Sequence, residues 1–308
     1  MKKLVIYILL FIPMMLSAQQ YPITNTLRHA EFMWNPAMTG VNEQAEIGVS
    51  LRQQWLGFAG APTTGLLAGQ KTLSKSNMGF GGVITFDKTG PLSFVGINAA
   101  YNYKFSLNLN DDDQLSIGLL ASAGQYRYDG SLAKVSDIDD DLLINAASTQ
   151  FNFNAGVGVF YSSVPDYKQN ESNFYFGIGA PQLLPSKLSF SGNSNEVKLK
   201  RSLHANAIAG FKLANDEFFT EHTAWLNYAD AKLYNLSYQF KFEQIDAFWA
   251  SMYINTNFTT GVNCGFIWKN DLFKDNGQLR IGIAGMYNLS TNGRYQGFSY
   301  EVMTAARF

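Results

Sequence analysis

"VGINAAYNYKFSLNLN", residues 95–110, decides the fold. Val95, Ile97, Ala99, Tyr101, Tyr103, Phe105, Leu107 and Leu109 alternate with Gly96, Asn98, Ala100, Asn102, Lys104, Ser106 and Asn108. A period of two places the two sets on opposite faces of an extended strand. At about 3.3 Å per residue the stretch spans about 50 Å, longer than the roughly 30 Å hydrocarbon core of a bilayer. One face is apolar and the other wet along the whole of it.

The pattern recurs down the chain. Residues 45–55 set Ala45, Ile47, Val49 and Leu51 against Glu46, Gly48, Ser50, Arg52 and Gln54; residues 151–161 set Phe151, Phe153, Ala155, Val157, Val159 and Tyr161 against Asn152, Asn154, Gly156 and Gly158. Tyr234, Leu236, Tyr238, Phe240 and Phe242 alternate with Asn235, Ser237, Gln239 and Lys241. Strands are predicted over 45–55, 62–73, 78–87, 92–109, 113–127, 150–161, 173–180, 200–213, 217–228, 232–242, 245–254, 258–268, 278–289 and 294–308, with faint alternation in the second, ninth and eleventh. Fourteen strands of roughly ten membrane residues fit one domain of this length, and an even number suits a bacterial single-chain barrel. Backbone N–H and C=O groups cannot be left unpaired in hydrocarbon, so such a sheet has to close on itself. The expected fold class is all-β: a transmembrane antiparallel β-barrel of about 14 strands, preceded by a signal peptide.

Composition agrees. Charged residues make up 15% and aromatics 15% of the 308 residues, where soluble domains carry roughly 25% charge. After the start no segment approaches the roughly 20 apolar residues of a membrane helix. Lys2 and Lys3, the apolar run Leu4–Leu16 and the small pair Ser17-Ala18 read as a secretory signal. The formal net charge is −1, and no basic stripe marks a nucleic-acid binder. The single cysteine, Cys264, excludes an internal disulfide and shares a predicted face with Phe258, Val262, Phe266 and Trp268.

The connections carry an orientation. With the N-terminus periplasmic, the two longest, 128–149 and 181–199, fall on the outside, as barrels prefer; 229–231 and 255–257 are short outer turns and 162–172 is a long inner one. The final strand ends in Phe308, like the assembly signal of outer-membrane barrels.

Residues 32–64 hold a signature: "FMWNPAMTG" (32–40), then "RQQWLGFAGAPTT" (52–64). With "GFGGVITFDKTGP", "YNYKFSL", "LSIGLLASAGQY", "SDIDDD" and "FNFNAGVGVFYSS" following in order, the chain resembles the PorP/SprF family over nearly its whole mature length. It departs at His29–Met33, where a Gln-Tyr pair is commoner before the Met, and at Met38-Thr39, where Tyr-Ala is usual. The resemblance implies an outer-membrane barrel of the Bacteroidetes type IX secretion and gliding system, binding the C-terminal domain of a secreted surface adhesin and supporting its export or retention, alongside other type IX components and outer-membrane lipid. The residues themselves offer neither a phosphate-binding glycine loop nor a dinucleotide fingerprint, so no cofactor and no nucleic-acid partner is expected.

The residues themselves divide the chain into a signal peptide (1–18), an N-terminal plug or docking segment (19–44) and the barrel (45–308). Asn35-Pro36 is expected to end a short helix begun near Thr26, with Leu27, Phe32, Met33 and Trp34 apolar and Arg28, His29 and Glu31 polar. The signature residues Phe32, Met33, Asn35, Pro36, Ala37 and Gly40 then tuck into the barrel or its periplasmic mouth, or else form a loose leader. Trp55, Phe58 and Pro62 on the first outer turn are either a partner surface or interfacial anchors. Leu183, Leu184, Leu188 and Phe190 on the second long loop are exposed apolar candidates for adhesin contact.

Enzymatic chemistry has little to stand on. His29, His204 and His222 sit in no metal-ligand spacing; His204 is expected to face the lumen as a solvated polar group, and His222 leaves a membrane hydrolase open. Asp137, Asp139, Asp140 and Asp141 could ligate calcium but match no EF-hand, so a solvated loop is favoured and no metal is assigned. The chain reads as a non-enzymatic barrel; the alternative function is a general porin for small solutes.

Overall fold

The computed structural model describes residues 30–41, 44–73, 76–107, 109, 113–132, 147–165, 168–190, 198–201, 203–230, 233–269, 277–290 and 296–308. Its strands are β1 (Glu46–Gln53), β2 (Thr63–Leu73), β3 (Met78–Thr89), β4 (Leu92–Phe105), β5 (Gln114–Tyr128), β6 (Ala147–Ser148), β7 (Asn152–Ser162), β8 (Asn173–Gln182), β9 (Ser186–Ser189), β10 (Lys198–Arg201), β11 (His204–Ala214), β12 (Phe218–Asp230), β13 (Leu233–Gln244), β14 (Phe248–Asn255), β15 (Thr259–Lys269), β16 (Gln278–Asn288) and β17 (Ser299–Arg307). Setting aside the short β6, β9 and β10, fourteen strands pair antiparallel with their chain neighbours. The first then pairs with the last, from Glu46↔Arg307 to Gln53↔Tyr300. No edge of the wall is left open, which is the condition for a sheet in lipid.

Burial is inverted relative to a soluble protein. On the outside, Ile97 is 55%, Leu119 56% and Ile178 67% exposed, whereas the inward Asn102, Lys104 and Glu301 are 0%, 2% and 0% exposed. The alternation thus serves hydrocarbon on one face and a packed interior on the other. Exposed aromatics collect at both ends of the wall: Phe105, Phe174, Phe218, Phe248 and Trp268 near the end where β1 begins and β17 finishes, and Phe153, Tyr234, Phe258 and Phe298 near the far end. These are the interfacial girdles of a membrane barrel. Cys264 is exposed on the outer face beside Val262, Phe266 and Trp268, as alternation placed it.

Differences from the predicted strands have physical causes. The strand of the opening stretch ends at Phe105 rather than 109, and the last begins at Ser299 rather than 294. Alternation is faint in β12 and β14 because inward positions hold apolar Phe219, Trp225, Trp249 and Tyr253. In β2 it is faint because the outward row includes Gly65, Gly69 and Lys71. The two long connections both lie at the far end. They carry structure that periodicity does not announce: β6 pairs with the top of β5, β9 and β10 form a hairpin, and Thr149 bridges Phe190. Residues 137–141, the acidic run, lie outside the described residues.

Leu119 sits opposite Tyr101 and Val157, in the middle of the outer wall. Leu119→Arg is expected to destabilise the barrel by about 2–4 kcal/mol, and Leu73→Arg at a strand end by about 0–1 kcal/mol. Urea titration of the lipid-embedded barrels, scored by the folded band on unheated gels, measures both; equal midpoints would contradict a lipid-facing Leu119.

Candidate functional site in the barrel interior

The interior is not empty. Residues 30–41 run inside the barrel as two successive 3-10 turns, Glu31–Met33 and Pro36–Met38. This differs from the single helix expected from Thr26, of which residues 26–29 lie outside the described residues. Asn35 does not simply stop a helix. It caps the second turn, its side-chain oxygen accepting from the Ala37 N–H at 3.1 Å, while Pro36 occupies the first position, where its missing N–H costs nothing. Phe32, Met33 and Ala37 are 0% and Trp34 1% exposed.

The wall is shaped for this segment. A Cβ on Gly118 would collide with the backbone of Pro36 and Ala37, lying only 2.5 Å from the Pro36 carbonyl oxygen. One on Gly179 would lie 2.8 Å from the Trp34 oxygen, and one on Gly81 2.8 Å from the Phe32 ring. Gly158 would strike the Asn35 side chain. Inward glycines on β3, β5, β7 and β8 therefore make room for a second layer of chain, the close backbone approach that glycine permits.

Inward polar side chains then satisfy the segment's backbone. Asn102 donates to the Ala37 carbonyl at 2.8 Å and Asn206 to the Trp34 carbonyl at 2.9 Å. The Lys104 ammonium donates to the Gly40 carbonyl at 2.7 Å, and the Gly40 N–H donates to the Gln70 side chain at 2.8 Å. Thr72 donates to the same Gly40 carbonyl. Gly40 has φ +65°, and a Cβ there would meet Thr72, so only glycine fits. In return Asn35 donates to the Val159 carbonyl at 3.1 Å. Buried amides left without such partners would each cost about 1–3 kcal/mol.

The opposite half of the interior is charged. Glu243 accepts two hydrogen bonds from Arg280, at 3.0 and 2.7 Å, and also pairs with Lys241. The Arg280 guanidinium lies 4.7 Å from the centre of the Trp249 ring, whose N–H donates to Asn263 at 3.0 Å. Across the closing seam Arg307 donates to Glu46 at 3.0 Å.

Sequence reasoning singled out Phe32, Met33, Asn35, Pro36, Ala37 and Gly40, and the structure brings these six together inside the barrel. It did not single out Gln70, Asn102, Lys104, Gly118, Gly158 or Asn206, which hold them. The available signal was glycine at strand positions that alternation assigns to the inner face.

The remaining candidates scatter. Trp55 takes φ +49° in the first far-end turn, its N–H bonding Ser299 Oγ at 3.1 Å, and Leu56 N–H bonds the Phe298 carbonyl at 3.0 Å. Phe298 packs over Gly285 on the outer wall, so this apolar turn, with Leu56 and Phe58 about half exposed, continues the far-end girdle. Pro62 is buried at the start of β2. Leu184 is 54% exposed, whereas Leu188 is buried, Phe190 rests 6.4 Å from Tyr128, and Leu183 is tied to the Ala155 carbonyl at 2.9 Å.

His204, expected as a solvated lumen group, is instead 8% exposed with its ring 6.2 Å from Trp34, because the N-terminal segment fills the space water would have used. His222 lies on the outer wall, stacked on Phe211 at 4.5 Å and bonded to the Tyr238 hydroxyl at 2.6 Å.

A closed antiparallel wall with an apolar exterior, aromatic girdles and long connections at the end opposite the start of β1 defines an outer-membrane β-barrel. The fold comparison agrees: the chain is similar to the CymD monoaromatic hydrocarbon channel, with 10% identity, a TM-score of 0.51 and coverage of 90% of this chain and 91% of that one. A Pseudomonas aeruginosa FadL homologue aligns at 9% identity and a TM-score of 0.49, covering 89% and 92%. No curated protein matches the chain. The type IX secretion system membrane protein PorP/SprF family matches residues 16–305, and the chain belongs to that family. The end where β1 begins and β17 finishes is accordingly the periplasmic one, and the far end faces outward.

Proposed function

We propose that the protein binds the C-terminal domain of a secreted adhesin and supports its export or retention at the cell surface, as part of the type IX secretion and gliding machinery. Membership of the secretion family carries this reading. On the same proposal, residues 1–18 are a signal peptide, 19–44 are the plug or docking segment, and the barrel of 45–308 is not an enzyme. The outward His222 bonds the Tyr238 hydroxyl on the lipid face and, among the described residues, meets no orienting acid that a hydrolase would need. A general porin needs an aqueous lumen, and the fully buried Phe32, Met33, Trp34 and Ala37 speak for a different task.

The exposed Leu184, with the loop residues Leu183, Leu188 and Phe190 around it, is the first contact proposed for the adhesin domain; Trp55, Phe58 and Pro62, on the far-end turn between β1 and β2, are the second. Detergent-solubilised barrel immobilised on a sensor and titrated with purified adhesin C-terminal domains is the test. Leu184→Glu combined with Phe58→Glu is expected to weaken capture at least tenfold without changing the folded band. Capture equal to the parent by that variant would remove these contacts, and no capture of any such domain by the parent would end the reading.

A further inference from the structure

Outside the glycine-lined half of the lumen, the periplasmic mouth carries a floor that neither the family nor the plug reading accounts for. The connection after β7, long for a periplasmic turn, is drawn inward. Ser162 and Asn173, both inward-facing strand ends, donate to the Val164 carbonyl at 2.5 and 3.2 Å. The ammonium of Lys212, an inward residue of β11 that is 2% exposed, donates to the Lys168 carbonyl at 3.0 Å. Pro165 is buried, and Lys168 is fixed by its N–H to the Pro165 carbonyl at 3.1 Å and by an ion pair to Glu171 at 3.2 Å. Three inward side chains thus hold this turn across the opening beneath β7, β8 and β11.

From Lys212 the contacts continue around the mouth. The Phe219 ring, 2% exposed, lies between the ammonium groups of Lys212, at 5.6 Å, and Lys241, at 5.0 Å. Lys241 pairs with Glu243, Glu243 with Arg280, and Arg280 covers Trp249, which packs with Ile267 and Met303. At the seam Arg307 holds Glu46, which stands opposite Gln70 in the register. Gln70, Thr72 and Lys104 in turn hold Gly40 of the N-terminal segment. Every one of these inward groups is less than a tenth exposed. Side chains so little exposed leave water only narrow contact beside them, and moving paired charges apart to let an ion by carries a large desolvation cost.

We infer that the barrel is sealed at its periplasmic mouth and passes neither solute nor polypeptide through its lumen, so that a partner is engaged at the rim and never threaded. The seal is composite: residues 30–41, the inward-held Val164, Pro165 and Lys168 of the connection after β7, and the ion-pair row each close a different sector. This rests on packing alone and stands apart from the identity of the partner. A conducting barrel that still captured the adhesin domain would refute the seal and spare the proposed function; a silent barrel that captured nothing would do the reverse.

The test uses the full mature chain in phospholipid vesicles, with insertion scored by the folded band on unheated gels. Potassium efflux is expected at the level of protein-free vesicles; efflux rising in proportion to inserted barrel would overturn the seal. Independently, in a Cys264→Ser background, Ser116→Cys and Ser251→Cys probe the two halves of the lumen. Both are expected to react with a small cationic methanethiosulfonate at least a hundredfold more slowly than Asn257→Cys in an exposed turn. Labelling of either within tenfold of that control would overturn the seal even if efflux were absent. A variant with residues 30–41 replaced by Gly/Ser, residues 164–171 shortened and Lys212→Ser is expected to release potassium when folded, showing that the silence of the parent reflects closure.

Discussion

Gly118→Val is expected to drive the N-terminal segment out of the barrel. The added Cβ would overlap the backbone of Pro36 and Ala37 rather than the movable end of a side chain, so neither partner can turn aside. Displacing the turn at Pro36–Met38 strips Asn102 and Lys104 of the carbonyls they bond. It also returns Phe32, Met33, Trp34 and Met38 to water, each worth about 1.5–3 kcal/mol when buried. Inside the barrel a displaced segment leaves the wall's amides and Lys104 to find water instead. The expected readout is a trypsin- and chymotrypsin-labile N-terminus, trimmed to near residue 45 while the barrel band persists. Gly82→Val on the outer face is the control, since a Cβ there meets nothing closer than the Asn98 carbonyl at 3.7 Å; it should leave the segment protected. Equal protection in both variants would mean that the glycine cradle does not hold the segment.

The second large effect concerns Glu243. Its carboxylate accepts from both Arg280 nitrogens and neutralises Lys241, and all three side chains are nearly inaccessible. Glu243→Ala leaves two cations buried and facing each other. Removing one partner of a buried pair costs about 3–5 kcal/mol, since the stranded charge keeps its desolvation penalty and loses its compensation. Replacing the group together, Glu243→Leu with Arg280→Met and Lys241→Leu, should recover most of that loss, because apolar side chains of similar volume suit a dry site. Unfolding midpoints in urea compare the three barrels. A Glu243→Ala barrel within about 1 kcal/mol of the parent would show that water reaches the cluster, and would weaken the sealed mouth with it.

Most of the wall is legible in the residues alone, because a two-sided environment writes itself into every second residue. Residues 95–105 could take no other reading once Val95, Ile97 and Ala99 were set against Asn98, Ala100 and Asn102. Legibility failed where the interior departs from water. β12 and β14 hide their alternation because the buried Phe219, Trp225 and Trp249 face the barrel interior, so both faces of those strands read as apolar. His204 was expected in solvent for the same reason: nothing local reports that Trp34, 170 positions earlier, lies beside it. Residues 162–172 read as a long inner connection, and only the bonds from Lys212, Ser162 and Asn173 to the Lys168 and Val164 carbonyls show that its described ends fold inward.

By itself the amino-acid sequence determined a closed antiparallel barrel of fourteen strands, its lipid-facing rows, the ends of most strands and the signature at 32–40. Those features are local: a period of two, a turn residue and a hydrogen-bonding backbone that hydrocarbon forbids to stay unpaired. What fills the barrel follows from the folded ring. Which carbonyl Asn206 or Lys104 would bond, which glycines would face Pro36 and which acid would hold Arg280 are matters of where seven hairpins bring distant side chains when the wall curves shut. Contacts of that kind depend on ring closure and strand register together, and no short stretch of the chain encodes either.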